Sequence, residues 1–205
     1  MTVNRATHNT KAGWSPERMV EEANDLARAE EYGSAALAYS MAADAYMKAG
    51  DYGESLNVIE DAIGIALESV RAALDDGIDR LVIEGVKLAE DLVNKIDDMP
   101  RDKAGIPPEY FKRGSGDPDT ADYIENEALD YFERGNFDLF YHSMGEAVSE
   151  KLEEASDALE SGDYGKLSDC LVFIWNNTAF RMLENHKRKN YKGMELMKIE
   201  RIMRY

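Results

Sequence analysis

The chain has 205 residues, a formal net charge of −17 and 44% hydrophobic residues, which is enough apolar material for one domain or two small ones. Its single cysteine, Cys170, excludes an internal disulfide and leaves no thiolate metal-ligand spacing. Proline is scarce, while Ala, Leu, Glu, Asp, Met and Lys are abundant, a balance that favours helix.

In chain order, residues 1–14 read as a flexible arm without the apolar stretch of a signal peptide. Ser15-Pro16-Glu17 opens a helix with a capping hydroxyl, a proline at the first helical position and an acid in the first turn. Met19, Val20, Ala23, Leu26 and Ala27 keep helical spacing as far as Ala29. A second helix is predicted over 34–48 and a third from about 54, carrying Leu56, Ile59, Ile63, Ala66, Leu67 and Val70. Asp75-Asp76-Gly77 is a weak break at which that helix ends or bends. A fourth helix follows with Val82, Val86, Ala89, Leu92, Val93 and Ile96. These elements form a first helical unit over 15–98.

Residues 99–118 hold four of the five prolines and read as a linker. A second helical unit is predicted over 119–190, with one helix to about 134, a longer one from the break at 135–137 to 160, and a last from the break at 161–165 to about 189. Within the last, Cys170 sits in the most apolar run of the chain and reads as a buried structural thiol. Residues 191–205 form a basic amphipathic C-terminal segment. Charge divides the same way. Residues 181–205 carry eight Lys/Arg against three acids, while residues 1–180 sum to −22.

Four of the breaks share one form, a small or polar pair followed by a ring: Glu30-Glu31-Tyr32, Gly50-Asp51-Tyr52, Gly135-Asn136-Phe137 and Gly162-Asp163-Tyr164. Seven residues before the first residue of each pair stands an alanine, at 23, 43, 128 and 155. A small residue there lets antiparallel helices approach, and the ring wedges between their ends. Residues 39–62 carry Tyr39, Ala42, Ala43 and Tyr46 on one helix, Gly50-Asp51-Tyr52 at the turn, and Ser55, Ile59 and Ala62 on the next. This set resembles a tetratricopeptide repeat. The rings at 32 and 52 are only 20 residues apart, so the helix between them belongs to two hairpins at once. That arrangement resembles the three-helix microtubule-interacting and transport domain. The expectation is therefore an all-α chain of about seven helices, built from antiparallel hairpins as two related three-helix units with the helix at 78–97 between them. The resemblance also implies something absent. Repeats that clamp acidic C-termini use Lys and Asn on the first helix, where this chain has Ser40 and Asp44.

No catalytic constellation emerges. Asp138, His142 and Glu146 stand four apart on one helical face and read as a solvated polar stripe rather than a metal site. Glu150, Glu153 and Glu154 resemble the paired acids of all-helical nucleotide pyrophosphohydrolases, but no second pair follows at the required distance. The reading is thus a cytoplasmic, non-enzymatic interaction module without cofactor. It presents an acidic helical groove to a basic protein partner through Ser40, Asp44, Met47, Lys48, Asp51 and Glu54. Contact with nucleic acid is left to the basic tail alone, with Arg181, Lys187, Arg188, Lys189 and Lys192, and docking of that tail on the acidic body ranks first among its roles. Two alternatives remain: an acidic mimic of nucleic acid that blocks a nucleic-acid-binding protein, and a helical metal- or nucleotide-dependent hydrolase.

Overall fold

The computed structural model describes residues 15–105 and 120–188. The arm at 1–14, the later part of the 99–118 linker and the segment at 191–205 lie outside the described residues. Those described are all helical, without strand. Seven long helices run α1 Pro16–Arg28, α2 Tyr32–Ala49, α3 Tyr52–Asp75, α4 Asp79–Asp97, α6 Thr120–Glu133, α7 Phe137–Ser161 and α8 Tyr164–Arg188, with a single turn, α5 Arg101–Ala104, after α4.

The helices begin and end where local chemistry dictates. The Ser15 hydroxyl accepts from the Arg18 N–H, the Asp51 carboxylate from the Glu54 N–H, and the Asp163 carboxylate from the Lys166 N–H, each satisfying a free donor of a first helical turn. Five helix ends close identically. The residue with positive φ donates to the carbonyl three residues back, and its successor donates to the carbonyl five residues back. This happens at Glu30, Gly50, Gly77, Gly135 and Gly162. The rings at 32, 52, 137 and 164 each become the first residue of the following helix. The four upstream alanines are all fully buried. Asp75-Asp76-Gly77 turns out to be a complete stop of the same kind. It escapes the pattern because Asp79, not a ring, occupies the first helical position.

Each triplet, α1–α2–α3 and α6–α7–α8, packs consecutive helices against one another, and α4 lies between them against α3 and α8. The triplets then dock. α3 packs on α7 as α4 packs on α8, so α3, α4, α8 and α7 close into a ring of four helices. Gly162 and Glu160 lie level with Glu60 and Gly64, while Glu146 lies level with Asp75, so α3 and α7 run antiparallel. One core spans both triplets and includes Ile59, Ile63, Val70, Val86, Leu92, Leu152, Leu167, Leu171 and Ile174. Cys170 is buried within it. A smaller cluster of Phe140, Met144, Ala128 and the flanking rings of Phe132 and Phe180 ties α6 to the far end of α7.

Close approach of α3 and α4 rests on Gly85, where a Cβ would meet Val70 Cγ2 at 2.7 Å. Polar clasps hold α8 at both ends of the ring, to α3 at one and to α4 at the other. The Tyr164 hydroxyl donates to Glu60, and the Arg181 guanidinium holds Asp79 in a largely buried pair. Met99 at the start of the predicted linker is buried in the core, and α5 rests on α3 with the Lys103 ammonium 5.5 Å from the centre of the Tyr52 ring. Among the described residues, no helix is long and apolar enough to cross a membrane.

Candidate functional site

Of the partner-binding residues expected from sequence, Ser40 and Asp44 are partly exposed and reach a side chain of α4. The Lys95 ammonium donates to Ser40 Oγ at 2.9 Å and to Asp44 Oδ1 at 2.7 Å. A lysine of α4 thereby bridges the space between two neighbouring helices and neutralises the acid there. Met47 packs partly against the core, and Asp51 is occupied as the cap of α3. Lys48 and Glu54 are exposed at the end of the α2–α3 hairpin. Of the basic tail, Arg181 is committed to Asp79 and is an internal residue. Lys187 and Arg188 end α8, and Lys189 and Lys192 lie outside the described residues. His142 pairs with Glu146 at 3.4 Å, and no cluster of three potential metal ligands forms among the described residues. Glu150 and Glu153 point to solvent, whereas Glu154 turns inward to the ammonium of Lys151 at 3.3 Å.

The concave acidic surface lies elsewhere, along the seam where the triplets dock. Its larger depression is a cleft of about 680 Å³ lined by Asn24, Tyr39, Glu60, Asp61, Gly64, Ile65, Leu159, Glu160, Ser161 and Gly162. Three carboxylates and no cation stand among these residues. Ile65 and Leu159 add an apolar patch to a lining that is otherwise largely polar. Tyr39 is anchored at the rim by donating its hydroxyl to Asn24 Oδ1 at 2.9 Å. Desolvation in the cleft raises the Asp61 carboxyl above its ordinary 3.8. The Tyr39 phenol is also raised, by burial first and then by the charge of Asp61. Desolvation disfavours the charged form of both groups, and at Tyr39 the charge of Asp61 outweighs the opposing pull of Arg28.

A second cleft, about 480 Å³, opens further along the same seam between Asp75 of α3 and His142, Glu146 and Glu150 of α7, with Ile124 of α6 and Arg181 at its edges. The two clefts lie at opposite ends of the α3–α7 seam, here called the valley, the first bordered also by α1 and α2 and the second by α6. Along α7 the exposed carboxylates of Glu146, Glu150, Glu153, Asp157 and Glu160 follow one another at steps of four and three residues, a row about 21 Å long. Midway, Arg71 pairs with Glu68 at 2.8 Å and reaches Glu153 at 4.0 Å.

Sequence reasoning passed over Glu60, Asp61 and Glu160 because the two acidic helices meet only in three dimensions. One signal was available: Gly64 interrupts a strong helical pattern at its centre. Comparison of the chain with protein families, with curated proteins and with solved structures finds no match.

Proposed function

We propose that the chain is a non-enzymatic interaction module whose acidic valley between α3 and α7 receives a basic segment of a protein partner. The observation that carries this reading is the larger cleft: three carboxylates line it, none of its lining residues is basic, and desolvation already raises one of the acids. An arriving lysine or arginine relieves that cost, and the long-range field of the acidic body speeds the encounter. The surface around Ser40 and Asp44 is the poorer site, since Lys95 already supplies their cation.

The reading is tested with a fluorescein-labelled lysine-rich peptide of about 16 residues, long enough in helical form to follow the valley, read by anisotropy across a salt series. Neutralising the cleft with Asp61→Asn and Glu160→Gln is expected to weaken binding about fivefold, as removal of two partly exposed charge contacts should. The control pair Glu21→Gln and Glu22→Gln, on the exposed face of α1, removes the same charge elsewhere. Equal losses from both pairs would reduce the effect to net charge and remove the valley from the account.

The row of carboxylates on α7 supports a second reading, imitation of a phosphate strand towards a nucleic-acid-binding protein. Neutralising Glu150, Glu153 and Asp157 together separates the two. Mimicry loses most from that change, while the cleft reading loses most from Asp61 and Glu160.

A further inference from the structure

The mid-helix glycines differ in what packing asks of them. At Gly85 an added Cβ collides with Val70, so close helix approach explains the glycine. At Gly145 it would crowd the Arg181 guanidinium at 3.3 Å. At Gly64, near the middle of α3, it would meet only Leu159 Cδ2, at an ordinary 3.8 Å. The backbone of Gly64 is helical and needs no positive φ. Neither packing nor backbone geometry accounts for a glycine there, although glycine weakens a helix interior relative to alanine. What distinguishes the position is its place in the cleft lining, beside Asp61 and Ile65 and opposite Leu159 and Glu160. A missing side chain at such a point lets another backbone come close.

Resting on the basic-partner reading above, we infer that the occupant of the valley is a single amphipathic helix of a protein partner, seated with its backbone over Gly64 and its cations along the α7 row. The spacing of that row selects the helix. Carboxylates at steps of four, three, four and three residues are matched by cations at the same steps on a neighbouring helix over the same 21 Å or so. An extended segment repeats its side chains every two residues, so four steps cover about 26 Å and fall out of register before the end of the row. The apolar patch of Ile65 and Leu159 meets the uncharged stripe of such a helix, and two adjacent helices offer the groove into which a third packs.

The experiment uses the full chain and two labelled 18-residue peptides of equal charge. One is a side-chain-stapled helix with lysines at steps of four and three; the other has two central prolines that prevent helix formation. Anisotropy at low and moderate salt reads affinity, and thermal melting reads stability. The stapled helix is expected to bind at least about tenfold more tightly than the proline peptide. Gly64→Leu is expected to cost the stapled helix about tenfold or more, the scale of an overfilled contact. Gly64→Ala should weaken binding by a smaller factor while melting higher than the wild type, because its methyl meets only Leu159. That combination of gained stability and lost affinity is what a purely structural role for the glycine would not produce, and it stands even if the leucine variant does not fold. Equal binding of both peptides, or unchanged affinity of the stapled helix for Gly64→Ala and Gly64→Leu, overturns the helix while leaving the basic-partner reading intact. Failure of either peptide to bind at low salt overturns both.

Discussion

Among the described residues, Glu30 alone places a side chain other than glycine in the left-handed region, at φ 60°. It does so at a turn whose four counterparts use glycine, so the strain comes from Cβ and not from the hydrogen bonds, which are the same. Glu30→Gly is expected to raise stability by about 0.5–1 kcal/mol, seen as a higher urea midpoint with unchanged slope. Asp61 supplies a prediction of the opposite kind. Its folded carboxyl titrates above 3.8, so the folded chain holds the proton longer than the unfolded chain does. Stability therefore falls as pH rises through that interval, and the ionised group is a cost at neutral pH. Asp61→Asn should melt higher than the wild type at pH 7 and converge with it in strong acid, measured by thermal melts across pH. A variant that gains stability and loses affinity for cations would mark the residue as retained for binding.

At the scale of elements, the bends and the alanines were readable because their causes are local. Small residues, caps and positive-φ positions act within a few residues of one another. The rings are not equal, however. Tyr164 is 1% exposed and reaches Glu60 across the seam, while Tyr52 is only half-buried beneath Lys103. Tyr164→Ala should cost about 3–5 kcal/mol and Tyr52→Ala distinctly less, measured by chemical denaturation. The stop at Gly77 was underrated because the wedge position holds Asp79, whose partner lies on a helix more than a hundred positions later. The site was illegible for the same reason. Nothing in the spacing of α3 alone places Glu160 beside Asp61. Besides Gly64, the breadth of the apolar arc on α3 was a hint, where Val58, Ile59, Ala62, Ile63, Ala66, Leu67 and Val70 are all buried. So wide an arc signals neighbours on more than one side.

For the whole molecule, the decisive contact is the docking of one triplet on the other. Beside it, the Asp79–Arg181 pair ties α4 to α8, with side chains only 17% and 12% exposed. Arg181→Met leaves a carboxylate without its cation in a partly closed site and should cost about 3 kcal/mol. Replacing both residues with apolar ones of similar size should recover most of the loss, because the desolvation of two ions disappears with them. Urea titrations of the two single variants and the double variant form the cycle that measures it.

The shared core has a further consequence for how the chain is made. The face of α3 that packs on α7 gains its cover only when α7 is made, after α4 and α6 have been added to the chain. Until then the early hairpins are held together by neighbours in sequence and carry an open apolar flank. A nascent chain halted after α4 should therefore bind a hydrophobic dye and recruit chaperones, and both signals should vanish once synthesis passes α8.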